Sequence, residues 1–418
     1  MRIHFLKEGE KYIAFNCDTM DICVVDAEEK AELEKTVDGK AEYVDDIPEK
    51  WFSTLVLHVA NTCNLRCKYC FANHGNYQSK AGIMEPQTGI DAVDTYYAKY
   101  DVIEEIKFFG GEPLCAPETV RAVAAHVTEK FERGEIRELP KFRIITNGTI
   151  LNDEIMEMIR KYKMRVVFSI DGPEGLHDEM RVDIKNRGTY AKIVENFRKL
   201  REYTGGVQPQ GIDVTYTALQ KNDGYSIQKL TAELAETFDT NPGKINVSLV
   251  TVSPESPYYL DDPQGCQSLN LEQVLAKAAA GNTKTADQKL QAMIHRMKKK
   301  RVMGKQICQA AQYWSAVSIH GDVYPCLMFM DDKEYLMGNI YQNLFEDERW
   351  KKIHEEWSSY DKNEKKECRE CPYNRACTSC MGINRFTTGS VYEVDKAECE
   401  AMKERAEKVI RAIARGDL

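Results

Sequence analysis

The 418-residue sequence has no run of eighteen consecutive apolar residues, so nothing in it reads as a membrane-spanning helix. Its opening, MRIHFLKEGEKYIAF, lacks the apolar core of a secretory signal, and the expected compartment is the cytoplasm. Positive charge is not in excess. Lys and Arg total 57 against 66 Asp and Glu, and the net charge of −9 argues against a broad nucleic-acid surface. The basic run RMKKKR, Arg296 to Arg301, is local; it reads as a solvated helix face, or as a contact for an acidic stretch of a partner peptide. Repeats and low-complexity tracts are absent. With 43% hydrophobic and 29% charged residues the composition is that of an ordinary soluble chain, long enough for two or three structural units.

Cysteine, by contrast, is plentiful: 14 residues, unevenly placed. A reducing compartment keeps thiols free, so clustered cysteines there point to metal binding or catalysis rather than disulfides. Three lie within NTCNLRCKYCFANHG: Cys63, Cys67 and Cys70, with His74 just beyond. Seven more fall between Cys308 and Cys399. Cys17, Cys23, Cys115 and Cys266 stand apart and read as small buried hydrophobes.

From about residue 55 to 250, short runs rich in Val, Ile, Phe and Thr alternate with amphipathic helical patterns. The runs are LVLHVA, EIKFFG, FRIITNG, RVVFSID, IDVTYTAL and KINVSLV. Six strand–helix units in sequence predict a parallel sheet with helices outside. Four polar motifs, at Cys63–Cys70, GGEP, TNG and SIDGP, fall at the C-terminal ends of successive strands. That is the face on which barrels assemble active sites, so a partial barrel is expected over residues 51–265. Residues 1–50 read as a small α+β segment, a hairpin pair with a short helix over 27–37. Residues 266–305 read as a helical linker, and 306–418 as a cysteine-rich domain ending in an amphipathic helix.

Three thiolates on one loop can bind three irons of a [4Fe–4S] cubane and leave the fourth iron open. The competing reading is tetrahedral zinc with His74 as fourth ligand. A structural zinc site needs no glycine-rich acidic loop on the next strand, and GGEP, Gly110 to Pro113, is such a loop.

CNLRCKYC resembles the signature of the radical S-adenosylmethionine (SAM) superfamily, including an aromatic, Tyr69, before the third cysteine. The resemblance implies a partial (β/α)6 barrel in which Cys63, Cys67 and Cys70 hold the cluster that cleaves SAM reductively to a 5′-deoxyadenosyl radical. It further implies SAM contacts from Gly110, Gly111, Glu112 and Pro113. Thr146, Asn147, Ser169 and Asp171 lie on the same rim. Arg181 is the candidate clamp for the SAM carboxylate, with Arg187 as rival.

The later cysteines, Cys308, Cys326, Cys368, Cys371, Cys377, Cys380 and Cys399, resemble the SPASM extension of radical SAM enzymes that modify peptides and proteins. Cys377 and Cys380 have two residues between them where that pattern has three. The resemblance implies two auxiliary [4Fe–4S] clusters, three clusters in all. One would be held by Cys368, Cys371, Cys377 and Cys399, the other by Cys308, Cys326 and Cys380, with Cys266 a distant candidate for a fourth ligand. Two zinc-ribbon-like sites are the alternative.

The whole pattern resembles maturases that install thioether crosslinks in cysteine-rich ribosomal peptides. The implied partners are a cysteine-rich precursor peptide and an external electron donor such as a flavodoxin or ferredoxin, with no nucleic acid and no membrane. Residues 1–50 resemble the opening of a leader-peptide-binding module. Formylglycine formation, carbon–carbon crosslinking, epimerisation and a non-enzymatic zinc module remain as alternatives.

Overall fold

A computed structural model describes residues 2–36, 49–77, 79–261, 293, 294, 296–298, 305–377 and 379–418. Most of the expected 266–305 linker, Cys266 and part of the RMKKKR run lie outside the described residues.

Three short strands open the chain: β1 (Ile3–Glu8), β2 (Lys11–Asn16) and β3 (Ile22–Val25) form an antiparallel sheet in that order. Helix α1 (Ala27–Lys35) follows, with Asp26 and Glu29 forming a reciprocal cap at its start. This sheet buries Leu6, Ile13, Phe15 and Met20 against Tyr373, Met402 and Val409 from the far end of the chain.

The barrel strands are β4 (Trp51–Ala60), β5 (Val102–Gly110), β6 (Lys141–Thr146), β7 (Arg165–Ser169), β8 (Gly211–Tyr216) and β9 (Ile245–Leu249). All six are parallel and adjacent in chain order, the expected partial (β/α)6 arrangement. Between them lie α2 (Pro86–Tyr97), α3 (Pro117–Glu132), α4 (Asp153–Lys161), α5 (Glu174–Met180), α6 (Tyr190–Tyr203), α7 (Ala218–Asn222) and α8 (Ile227–Thr237). Proline opens α2 and α3, where its missing N–H leaves no bond unmade. Alternation along β5 decides its two faces. Ile106 and Phe108 are fully buried on one face, while Glu105, Lys107 and Phe109 are half-buried on the other.

The cysteine-rich region does not stand apart from this sheet. Strand β10 (Trp314–Val317) pairs in parallel with β4, then β11 (Asp322–Tyr324) and β12 (Gly338–Asn339) extend the edge, giving nine strands in one sheet. Four helices complete the chain: α9 (Glu348–Ser359), α10 (Lys366–Glu370), α11 (Met381–Thr388) and α12 (Lys396–Arg415). The expected amphipathic C-terminal helix is α12; its buried Met402, Ala406, Val409 and Ile410 recur every three or four residues and face the N-terminal sheet. Among the described residues no helix is long and apolar enough to cross a membrane.

Candidate functional site

The cysteine loop leaves the C-terminal end of β4 and is stitched to the end of β5 by backbone bonds. Gly111 N–H donates to Ala60 O at 2.8 Å and Glu112 N–H to Thr62 O at 2.9 Å. Closure depends on two glycines that meet. A Cβ on Gly111 would lie 2.4 Å from Thr62 O and 2.7 Å from Gly75 Cα; one on Gly75 would lie 2.6 Å from Gly111 Cα and 2.9 Å from Cys63 Cβ. Gly75 also holds φ +91°, the region that favours glycine. Nothing in the sequence singles out Gly75, and its function emerges from the contact.

N–H groups aim at the first sulfur. Leu65 N–H lies 3.4 Å from Cys63 Sγ and Asn147 Nδ2 lies 3.8 Å from it. Asn147 Nδ2 also donates to Asn64 Oδ1 at 2.9 Å, tying the loop to the end of β6. Burial pushes the Cys63 thiol up to about 11 and the Cys67 thiol to about 12, so a metal must displace their protons. Three thiols on one loop, N–H donors to sulfur, and a floor made by two glycines fit an iron–sulfur cubane. His74 is exposed, and among the described residues no three His, Cys, Asp or Glu side chains converge on a single-ion site.

Glu112 is 1% exposed and fully engaged. Its Oε1 accepts from Leu114 N–H (2.9 Å) and the Thr146 hydroxyl (2.7 Å), and its Oε2 from Asn147 N–H (2.7 Å). The carboxylate therefore locks the ends of β5 and β6 together. Burial raises its pKa to about 7 against those three donors. An acid whose folded pKa is raised holds its proton more tightly when folded. Its stabilising contribution is thus complete below the unfolded value near 4.5 and is lost as pH rises through about 7. The stability difference between wild type and Glu112→Gln should accordingly move in the variant's favour by about 2 kcal/mol between about pH 5.5 and 7.5, read from urea midpoints.

Asp171 is the second hub, with no exposed surface. Arg181 Nε donates to its Oδ2 at 2.7 Å and Arg181 Nη2 to its Oδ1 at 3.2 Å. The Tyr69 hydroxyl donates to Oδ2, and Thr215 N–H to Oδ1 at 2.9 Å. One carboxylate thus gathers the cysteine loop, α5 and β8. The guanidinium face suited to a carboxylate is turned on Asp171, and it lies 5.6 Å over the Tyr69 ring. Arg187, the rival, sits on the surface paired with Asp183. Ser169 ends β7 half-buried, in register with Asp213 of β8. Gly110 ends β5 and Pro113 is buried in the turn that follows.

The later cysteines fall into two neighbourhoods. Cys368, Cys371, Cys377 and Cys399 line one cavity. Cys308, Cys326 and Cys380 influence one another electrostatically; burial pushes the Cys308 thiol up to about 11 and Cys326 higher still. Cys326 follows β11 and also feels Lys107 of β5, so this group stands beside the barrel. Cys115 faces Cys63 and Glu112 instead, and Cys17 faces Cys371.

Comparison with known proteins matches residues 57–219 to the radical SAM superfamily and residues 308–372 to the SPASM iron–sulfur cluster-binding domain. The chain is 25% identical over 366 residues to a serine-type anaerobic sulfatase-maturating enzyme of Bacteroides thetaiotaomicron, covering 80% of this chain and 83% of that one. Its fold is like that of anSMEcpe solved with bound AdoMet and the Cp18Cys peptide: 18% identity, TM-score 0.68, 87% of this chain and 99% of that one. It is also like that of Streptococcus suis SuiB bound to the precursor peptide SuiA: 14% identity, TM-score 0.56, 95% and 98%. Both matched domains imply iron–sulfur clusters and SAM. The chain therefore carries a radical SAM domain over its barrel and, C-terminal to it, a SPASM iron–sulfur cluster-binding domain.

Proposed function

We propose that the protein is a peptide maturase that joins a cysteine sulfur to carbon in a ribosomally made, cysteine-rich precursor. The observation that carries this reading is the three-cysteine group beside the barrel. Cys308, Cys326 and Cys380 act on one another, whereas Cys115 lies by Cys63 and Glu112 and Cys17 by Cys371. A cubane held by three thiolates offers an iron to a substrate thiolate, a soft ligand suited to it. The likeness to SuiB, solved with a precursor peptide, supports a peptide substrate.

SAM and its cluster supply a 5′-deoxyadenosyl radical able to take hydrogen from unactivated carbon. In the net reaction a hydrogen atom leaves the carbon for deoxyadenosine and the thiol gives up a proton. A C–S bond forms, and one electron passes to an iron–sulfur acceptor. The reading requires three [4Fe–4S] clusters: Cys63, Cys67 and Cys70; Cys308, Cys326 and Cys380; and Cys368, Cys371, Cys377 and Cys399. A flavodoxin or ferredoxin class donor would start the cycle. Around the radical, Gly110 to Pro113, Thr146, Asn147, Ser169, Asp171 and Arg181 would shape the SAM rim and exclude water.

A second reading, formylglycine formation, gains support from Asp213. This half-buried carboxylate beside Ser169 is raised in pKa by desolvation, as suits a proton acceptor, and the Bacteroides relative is named for sulfatase maturation. The test is anaerobic reconstitution with SAM, reductant and a cysteine-rich peptide, then fragmentation mass spectrometry. The expected product has lost two hydrogens per crosslink and resists alkylation at the joined cysteines. An aldehyde product, with sulfur lost from cysteine, would replace the thioether reading with the second one. Active SAM cleavage with peptide mass unchanged would refute both for that peptide class.

A further inference from the structure

Lys362 is a buried lysine, and among the described residues no carboxylate forms an ion pair with it. It is 3% exposed and lines the cavity formed by Cys368, Cys371, Cys377 and Cys399. Its Nζ donates to the carbonyl of Asn374 at 2.9 Å. The other charged or ionisable groups that act on it most strongly are two thiols, Cys377 and Cys368, and two further cations, Arg296 and Arg375. Glu367 and Glu398 border the same cavity. Arg296 donates to the carbonyl of Cys377, and Arg375 is itself buried.

Lys362 alone of the three lines the cavity, with Arg296 and Arg375 near enough to act on it; like charges so placed repel, and a buried ammonium that meets no carboxylate is costly. Such an arrangement is stable when an anion occupies the cavity that Lys362 lines. Four thiols line that space. A cubane with four thiolates carries about two negative charges when oxidised and about three when reduced. The positive charge therefore favours the reduced form, since it interacts more strongly with the larger negative charge.

We propose that Lys362 is the counter-ion of the auxiliary cluster held by Cys368, Cys371, Cys377 and Cys399, and that it raises that cluster's reduction potential. Arg296 and Arg375 supply the outer positive charge. This rests on the ligand grouping proposed above. Lys362 is a positioning and tuning residue that lines the four-cysteine cavity, and it fits that cluster to pass on the electron that the oxidative reaction releases.

The test is a redox titration of full-length, anaerobically reconstituted Lys362→Met and Lys362→Arg, followed by electron paramagnetic resonance, with iron and sulfide counted in each. Lys362→Met is expected to keep its iron and sulfide. One cluster should become at least tenfold harder to reduce at a given potential, about 59 mV for a one-electron couple. Lys362→Arg should stay near wild type. A full complement of iron with an unshifted midpoint overturns the proposal. Should Lys362→Met fail to load, loading of Lys362→Arg sustains the charge requirement and failure of both overturns it. Cys371→Ala separates the two layers of inference. If the signal that Lys362→Met shifts survives in Cys371→Ala, the ligand grouping is wrong; if that signal is lost and Lys362→Met is unshifted, the counter-ion assignment alone fails.

Discussion

Replacing Gly111 with alanine is expected to cut 5′-deoxyadenosine release by about 100-fold or more, with the auxiliary clusters still loaded. The reason is steric and local. The new Cβ would sit 2.4 Å from the Thr62 carbonyl oxygen and 2.7 Å from Gly75 Cα, both backbone atoms with no rotamer to yield. Relief requires the cysteine loop to lift from the end of β5. That movement carries Cys63 with it and breaks the bonds from Gly111 to Ala60 and from Glu112 to Thr62. Gly75→Ala should act the same way from the other side of the contact, compounded by its positive φ. Gly175→Ala in α5, where nothing lies within 4 Å, is the matched control and should leave turnover unchanged. The measurement is deoxyadenosine formed under strong reductant, beside iron content. Wild-type release from Gly111→Ala would mean that the glycine contact does not seat the cluster.

The fold was largely legible because β-branched and aromatic residues mark each barrel strand and polar motifs mark its end. Strand starts were less so. β4 begins at Trp51 rather than Leu55, and β5 at Val102 rather than Glu105, because the early halves carry Ser, Thr and Glu that blur the pattern. Helix α5 escaped notice; EGLHDEM is too short for periodicity to register. The pairing of β10 with β4 had no local mark at all, since it joins segments some 260 residues apart. At the site, the spacing of Cys63, Cys67 and Cys70 was readable in the sequence, but their support was not. Gly75 looks like any turn glycine. Asp171 and Arg181 each stood out as polar residues near the rim, yet their mutual bond depends on how α5 folds back, which no spacing rule encodes. Lys362 was invisible for the same reason: an exposed lysine and a buried one are spelled alike.

Asp171→Ala is expected to destabilise the folded protein by about 3–5 kcal/mol, the cost typical of removing one partner from a buried ion pair. Arg181 is 8% exposed and would keep its charge with no carboxylate to meet it. The Tyr69 hydroxyl and Thr215 N–H would lose their acceptor as well. Because Tyr69 lies between Cys67 and Cys70, the same change should loosen the cysteine loop. Deoxyadenosine formation should therefore fall even in the fraction that stays folded. A double-mutant cycle isolates the pair. Arg181→Met alone leaves the carboxylate buried with two donors, whereas Asp171→Leu combined with Arg181→Met removes both charges and should recover most of the lost stability, since an apolar pair of similar volume roughly replaces a buried ion pair. Activity should not return with stability, because the double variant still lacks the acceptor that anchors Tyr69. Urea midpoints for wild type, Asp171→Leu, Arg181→Met and the double variant, with deoxyadenosine yields at matched iron content, separate the two effects. A loss under about 1 kcal/mol for Asp171→Ala would show that water reaches the hub and that the carboxylate does not hold the loop.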